Sequence, residues 1–181
     1  MAFPSSTVPC RIVVLASGNG SNFQALIDGV SSGKVPSATI TRLYVNRGTA
    51  FARTRAANHG IPCTYHNLVS HGFLAKTDRE DAARVLAARD RYDAALADMI
   101  LADDRREERP QLIVLAGWMH VFGDAFLEPM AKAGVKIINL HPALPGRGGI
   151  FFSPRILHGI PALLSNSLSA NSAPPQNPRQ I

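Results

Sequence analysis

Short aliphatic runs alternate with amphipathic stretches along the first 140 residues of the chain. Continuous runs of Val, Ile and Leu are typical of strands buried in a parallel sheet. Apolar positions that recur every three or four residues indicate helices with one buried face. The runs predict strands at 11–16, 38–45, 63–65, 111–116 and 135–140, and the periodic stretches predict helices at 21–33, 49–58, 77–109 and 124–133. This alternation predicts an α/β fold with a doubly wound, mostly parallel sheet.

The expected helix ends follow from capping residues. Ser21 stands three residues before Gln24, and Thr77 stands three residues before Glu80, which is the spacing of a capping box. We therefore expect Ser21 and Thr77 to cap the first and third helices. Gly60 is expected to end the second helix in a left-handed conformation. The third helix should bury one apolar stripe, made of Ala82, Val85, Leu86, Tyr92, Leu96, Met99 and Ile100.

The composition fits a globular domain, because 46% of the 181 residues are hydrophobic and only 18% are charged. The net charge is +6, but residues 147–181 hold three Arg and no acidic residue, so the rest of the chain is nearly balanced. A nucleic-acid-binding surface is therefore not expected. We expect a flexible N-terminus at 1–9, one domain at 10–146 and a divergent, largely disordered tail at 147–181.

Cysteine usage and the lack of long apolar runs indicate the compartment. Cys10 and Cys63 are too few for a disulfide framework, which favours a reducing compartment. Residues 1–9 lack the cationic and apolar pattern of a signal peptide, and no run approaches the ~20 apolar residues that span a bilayer. We expect a cytoplasmic protein without a membrane partner.

A run of small polar residues at 17–22 follows the first predicted strand and begins the first helix. Glycines and free backbone N–H groups at such a junction favour a phosphate or another anion, although a turn that binds nothing has the same residues. A Walker loop is excluded because no Gly-Lys-Ser/Thr follows. The dinucleotide fingerprint fails at Phe23, where its third glycine belongs, although an NADP site with Arg47 on the 2′-phosphate remains an alternative.

Asn139 and His141 leave the fifth predicted strand two residues apart, so they are expected to face the same side. An amide donor beside an imidazole suits acyl transfer, because the amide can stabilise an oxyanion while the imidazole moves a proton. A structural role for His141 is the alternative. The other histidines lack metal-ligand spacing and are expected at the surface or in loops, so no metal site is predicted; they are His59, His66, His71, His120 and His158.

Four segments, in this order, resemble the phosphoribosylglycinamide formyltransferase family. The matching segments are Ile12-Val-Val-Leu-Ala-Ser-Gly-Asn-Gly-Ser-Asn22, Thr77-Asp-Arg-Glu80, Val114-Leu-Ala-Gly-Trp-Met119 and Ile138-Asn-Leu-His-Pro-Ala-Leu-Pro-Gly146. The resemblance covers about residues 10–146 and implies a Rossmann-like formyltransferase fold. It also implies transfer of a formyl group from 10-formyltetrahydrofolate to glycinamide ribonucleotide in purine biosynthesis, with these two small molecules as substrates and no metal, and it leaves the oligomeric state open.

The resemblance implies a role for individual residues. Gly20, Ser21 and Asn22 would hold the substrate phosphate. Arg79 would contact the formyl-folate, whose pterin pocket would be lined by Met119, His120, Val121 and Phe122. Asn139 and His141 would be the catalytic amide and imidazole.

The sequence departs from this family after Gly146. The family continues with a segment resembling His-x-Val-x-x-x-x-Asp-x-Gly, whose Asp orients the catalytic His, whereas no Asp or Glu follows Glu128 here. We therefore expect the C-terminal strands to be missing and His141 to lack its carboxylate partner. The alternative function is that of a truncated, catalytically impaired remnant that still binds a phosphorylated ligand or partner.

Overall fold

The computed structural model describes residues 8–102 and 109–140, and in this part five strands alternate with four α-helices. The strands are β1 (Cys10–Ala16), β2 (Ala38–Val45), β3 (Cys63–Tyr65), β4 (Leu112–Ala116) and β5 (Lys136–Leu140). The helices are α1 (Ser21–Ser31), α2 (Ala52–Asn58), α3 (Ala82–Leu101) and α4 (Asp124–Lys132). Every predicted strand is confirmed to within one residue at each end. The expectations for residues 1–7 and 141–181 lie outside the described residues.

All strand pairs of the sheet are parallel, and the strand order is β3-β2-β1-β4-β5. The chain moves outward from β1 through β2 to β3 and then returns to place β4 on the other side of β1. This reversal creates a topological switch point between β1 and β4. In open α/β sheets, ligands bind beyond the carboxyl ends of the strands at such a point.

Helices cover both faces of the sheet, which confirms the doubly wound, Rossmann-like prediction. Side chains of β1 alternate between the faces, because successive residues of a strand point to opposite sides. One face forms a core with α1 and α2, which includes Ile12, Val14, Ala16, Phe23, Ile27, Ala52 and Ala56. The opposite face packs against α3, and there the Tyr44 hydroxyl donates a hydrogen bond to the Met99 carbonyl oxygen at 3.3 Å.

Helix α3 begins five residues later than the sequence predicts. Its N-cap is Asp81, whose carboxylate accepts a hydrogen bond from the Arg84 backbone N–H at 3.0 Å. Thr77 lies in a short 3₁₀ helix (Lys76–Asp78), and its hydroxyl donates to the Asp78 side chain. The Thr77 capping prediction is therefore wrong, because a carboxylate nearer the helix supplies the acceptor that its first turn needs.

The buried stripe of α3 also differs from the predicted one. Its buried residues are Ala88, Tyr92, Asp93, Leu96, Ala97 and Ile100. Leu86 is 63% exposed and Met99 is 37% exposed, so these apolar residues lie outside the core. The first six residues of α3 include no buried side chain, which removes Ala82 and Val85 from the stripe as well.

The end of α2 follows the prediction, since Gly60 has a φ of +65° in the left-handed region just after the helix.

In the described part of the chain, no helix has both the length and the apolar character required to cross a membrane.

Candidate active site

The loop at residues 17–20 joins β1 to α1 at the switch point. Gly20 is the N-cap of α1 and has a φ of +73°, and no side chain caps the helix there. Ser21 is thus the first helical residue rather than a cap, which corrects the capping prediction. Because the capping position is taken by Gly20, which has no side chain, the first N–H groups of α1 have no side-chain acceptor. Such N–H groups form a binding site for an anion.

Helix α2 holds this loop in place. The Ala52 backbone N–H donates to the Gly18 carbonyl oxygen at 3.2 Å. The Arg55 guanidinium donates to the Asn19 carbonyl oxygen at 2.9 Å through Nε and to the Asn19 side-chain oxygen at 3.4 Å through Nη2. Arg55 therefore fixes the loop and adds a positive charge beside it. Sequence reasoning missed Arg55, because nothing in its spacing indicates a contact 36 residues away.

Ser17 connects this loop to the segment that follows β4. Its side chain is buried in a residue that is only 1% exposed, and its Oγ accepts a hydrogen bond from the Met119 backbone N–H at 2.9 Å. The Ser17 backbone N–H donates to the Gly117 carbonyl oxygen at 3.2 Å. The two loops that border the switch point are thus bound directly to each other. The sequence predicted both loops but not this link.

The four residues predicted to line a folate pocket divide into two pairs. Met119 is 72% exposed and Val121 is 80% exposed, so both side chains lie at the surface. Phe122 stacks on Phe126 with ring centroids 3.8 Å apart, and the His120 side chain is only 10% exposed. The segment 119–122 therefore exposes two apolar side chains, while the other two anchor it.

A buried carboxylate holds His120. Asp93 is 1% exposed, and its Oδ1 lies 2.6 Å from Nε2 of His120. Its Oδ2 accepts a hydrogen bond from the Gly123 backbone N–H at 2.7 Å. His120 and His66 lie in loops, as the sequence predicts, but neither is at the surface, because the His120 side chain is 10% exposed and His66 is 5% exposed. Asp93 was missed, although an acidic residue beside Tyr92 on a buried helix face is a signal that could have found it.

A cavity of about 230 Å³ opens beside His120, lined by Asn46, Arg47, Asn67, Leu68, Arg89, Tyr92, Met119 and His120. The guanidinium groups of Arg47 and Arg89 have no hydrogen-bond or ion-pair partner among the described residues, and none of the described lining residues is acidic. The Asn46 side-chain oxygen is buried without a partner. The cavity can therefore bind an anionic group that also carries a hydrogen-bond donor.

Tyr92 supplies the neutral wall of this cavity. Burial, followed by the charge of Asp93, raises the pKa of Tyr92, so its hydroxyl stays a donor and bonds the His66 carbonyl oxygen at 3.2 Å. A larger groove of about 720 Å³ on the α3 face of the sheet includes no residue of the loops at 17–22 and 117–123.

Asn139 lies at the same carboxyl edge as the two loops. It pairs with Leu115 on β4, and Leu115 pairs with Leu15 on β1, so one row crosses the sheet just before the switch point. Its neighbours Ile138 and Leu140 pack against the core formed with α1 and α2, so the alternation of side chains places Asn139 on the opposite face. His141 lies outside the described residues. Arg79 is exposed after the 3₁₀ helix and does not line the cavity.

Comparison with known proteins identifies the family. A family profile described as formyl transferase matches residues 10–149. The chain belongs to the formyl transferase family. It is 40% identical over 136 residues to the phosphoribosylglycinamide formyltransferase of Schizosaccharomyces pombe, covering 75% of this chain and 59% of that relative. It is 39% identical over 137 residues to the enzyme of the same name from Saccharomyces cerevisiae, covering 75% and 60%.

A solved structure with the same architecture is glycinamide ribonucleotide transformylase 1 from Symbiobacterium toebii. The TM-score is 0.58 at 25% sequence identity, and the match covers 81% of this chain and 57% of that one. The chain spans about three fifths of the length of the two curated relatives named above. Within its described residues, no group of three or more His, Cys, Asp or Glu side chains is placed to hold a metal ion.

Proposed function

We propose that this chain transfers the formyl group of 10-formyltetrahydrofolate to the amino group of glycinamide ribonucleotide, in purine biosynthesis. One observation supports the proposal above all: the Met119 N–H donates a hydrogen bond to the Ser17 hydroxyl. This bond joins the loop at 17–20 to the segment 119–122, which has exposed apolar side chains and lies beside two arginines. A phosphorylated substrate and a folate could thus lie side by side. The names of the family relatives give the chemistry that such a pair would undergo.

The phosphate of the ribonucleotide would bind at the start of α1. Gly20 leaves the first backbone N–H groups of the helix without a side-chain acceptor, and Ser21 and Asn22 add a hydroxyl and an amide. Arg55 keeps a positive charge against this loop. All of these groups favour a dianionic phosphate over a neutral ligand.

The formyl-folate would bind along residues 119–122. Met119 and Val121 offer apolar surface to a pterin ring. The folate's carboxylates would be bound by Arg47 and Arg89, which line the cavity beside His120. Arg79 remains a second candidate for a carboxylate contact, and Arg89 is the better placed of the two because it lines the cavity.

Transfer would proceed by acyl substitution. The substrate amine attacks the formyl carbon, a new C–N bond forms, and the carbonyl oxygen gains negative charge that the Asn139 amide stabilises. His141 would take a proton from the attacking nitrogen and return it to N10 of the folate as the old C–N bond breaks. The products are formylated glycinamide ribonucleotide and tetrahydrofolate. We also propose that the chain is cytoplasmic, because its cysteine usage favours a reducing compartment.

The direct test mixes the chain with both substrates and measures the formylated ribonucleotide by mass spectrometry. We expect transfer that falls on the order of 10²–10⁴-fold in His141→Ala and 10²–10³-fold in Asn139→Ala. His59→Ala, at an exposed histidine after α2, is the matched control and should keep the wild-type rate. Ligand binding without any transfer would instead identify a protein that binds a phosphorylated ligand and would overturn the proposal. A normal rate in His141→Ala would refute the proton-transfer role.

The phosphate site has its own test. Asn22→Ala should raise the KM for glycinamide ribonucleotide and leave kcat and the folate KM close to wild type, because the phosphate is remote from the reacting carbon. Asn58→Ala, at an exposed asparagine that ends α2, is the matched control. An unchanged ribonucleotide KM in Asn22→Ala would remove that residue from the site.

A further inference from the structure

Asp93 is an unusual residue for the middle of a helix. It is 1% exposed and is the one acidic side chain that is buried in the described part of the chain. Burying a carboxylate costs free energy unless hydrogen bonds replace the lost water. Asp93 has two such bonds, to Nε2 of His120 at 2.6 Å and from the Gly123 N–H at 2.7 Å.

These two bonds hold a segment of the chain at both ends. His120 and Gly123 flank Val121 and Phe122, so the Asp93 carboxylate fixes the conformation of residues 120–123. The two bonded residues lie 27 and 30 positions after Asp93 in the sequence. The Gly123 N–H is a second anchor independent of the imidazole. A purely structural role would be satisfied by this backbone bond alone.

The bond to His120 also decides which ring nitrogen is left free. A carboxylate at Nε2 requires a proton on that nitrogen, so Nδ1 is the ring's remaining polar atom. Nδ1 has no partner among the described residues and is not one of their buried unpartnered atoms, so it reaches solvent. The rings of Tyr92 and Phe122 contact His120 edge-on, with centroids 5.0 Å and 5.3 Å away, and prevent it from turning.

We propose that Asp93 is a positioning residue for the folate cosubstrate, which acts by holding His120 so that Nδ1 faces the cavity lined by Arg47 and Arg89. The inference rests on the proposed function. Asp93 touches neither ligand, and its effect passes through the imidazole. His120 Nδ1, which carries no proton, accepts a hydrogen bond from an amide N–H of the folate at the cavity, while the two arginines bind the folate's carboxylates.

The informative variant is Asp93→Asn. Its amide oxygen can still accept from the Gly123 N–H, whereas its NH₂ group faces Nε2 of His120 and forces the proton to Nδ1. We expect the Kd of 5-formyltetrahydrofolate, a stable probe, to rise on the order of 10- to 100-fold. The Kd of glycinamide ribonucleotide should change less than about twofold, because its loop is held by Ser17 and Arg55 instead. Equal losses for both ligands would overturn the proposal.

A double-mutant cycle tests whether the effect passes through the ring. In His120→Gln the amide N–H can still donate to Asp93, but nothing replaces Nδ1. In that background Asp93→Asn should weaken folate binding less than about twofold further. A full additional loss would mean that Asp93 acts only on the loop and would overturn the proposal. Far-UV circular dichroism and thermal unfolding show whether each variant is folded.

A spectroscopic measurement on the wild-type chain needs no variant. Nitrogen-15 NMR of the imidazoles should show a proton on Nε2 of His120, and the Nδ1 resonance should shift when 5-formyltetrahydrofolate is added. A proton on Nδ1 alone, or an unshifted resonance at saturation, would overturn the proposal. If the wild type binds no folate at all, the proposed function fails instead, and the Nε2 proton still reports separately on the Asp93 bond.

Discussion

Gly20 offers the sharpest test of how the phosphate loop is built. Its φ of +73° lies in the left-handed region that other L-residues rarely adopt. A Cβ added there would lie 2.7 Å from the Cβ of Ala52 and 3.0 Å from its Cα. Because Ala52 is fully buried and the second contact is to backbone, neither atom can move aside easily. Gly20→Ala therefore introduces both backbone strain and a steric overlap.

The cost of the substitution can be estimated from these two parts. Left-handed backbone costs roughly 1–2 kcal/mol for a residue with a Cβ. Overpacking a tight site costs about 1–3 kcal/mol more. Gly20→Ala should therefore lower the free energy of unfolding by about 2–5 kcal/mol, a large part of the roughly 5–15 kcal/mol typical of a domain. The affinity for the ribonucleotide should fall as well, since Ala52 helps to hold the loop.

Urea denaturation followed by circular dichroism measures this cost, and two other glycines separate its parts. Gly33 has the same φ of +73° but no atom within 4 Å of an added Cβ, so Gly33→Ala reports backbone strain alone. Gly18 also has an open Cβ position and no left-handed φ, so Gly18→Ala should have little effect. The difference between Gly20→Ala and Gly33→Ala isolates the overlap with Ala52. Equal costs for these two variants would refute the steric reasoning.

Three further predictions concern the groups that hold the fold and the loops. Ser17→Ala leaves the Met119 N–H without its acceptor, and we expect a loss of about 1–3 kcal/mol in urea unfolding together with weaker binding of both proposed ligands; a loss for only one ligand would contradict the link between the loops. Asp81→Ala should cost about 1 kcal/mol by removing the N-cap of α3, whereas Thr77→Ala should cost much less in the same assay. Burial lowers the pKa of His66 below its ordinary value of 6.5. The unfolded state therefore binds more protons, and the free energy of unfolding should fall as the pH drops below about 6.5. His66→Phe should remove that part of the pH dependence, and an unchanged pH profile would contradict this reasoning.

Much of the fold could be predicted because its signals are local. A buried parallel strand is a continuous aliphatic run, so β2 and β3 begin and end where the sequence indicates. Gly60 marks the end of α2 because the left-handed conformation there favours a residue without a Cβ. Alternation of such strands with helices leaves few topologies, and right-handed crossovers give the observed parallel order.

The helix starts could not be settled in the same way, because several residues compete for each cap. Thr77 and Asp81 both precede α3, and the capping-box spacing favours Thr77, yet the charged acceptor adjoining the helix is the one used. At α1, Ser21 and Gln24 have the spacing of a capping box, but the N-cap position is occupied by Gly20 in the left-handed conformation. A cap depends on backbone angles that side-chain spacing alone does not determine.

The contacts that build the candidate site could not be predicted for a different reason. Ser17 is bonded to a residue 102 positions away, Arg55 to one 36 positions away and Asp93 to one 27 positions away. These bonds exist only after the strands are ordered, so no local pattern reports them. The loops themselves were predictable because glycine and small polar residues follow a strand, whereas the residues that fix the loops lie on helices α2 and α3 and at the end of β1.

This arrangement makes ligand binding and turnover separable in this chain. The bonds that fix the two loops join residues between 17 and 123, through Ser17, Ala52, Arg55 and Asp93. The proposed chemistry instead belongs to Asn139 on β5 and to His141 after it. Substitutions in the first group should therefore change the affinities for the ribonucleotide and the folate, and substitutions in the second should change the rate of transfer at saturating ligand. Because the two groups lie on different elements of the fold, a chain that binds both ligands normally but transfers slowly would locate the defect at the end of β5 and not in the binding loops.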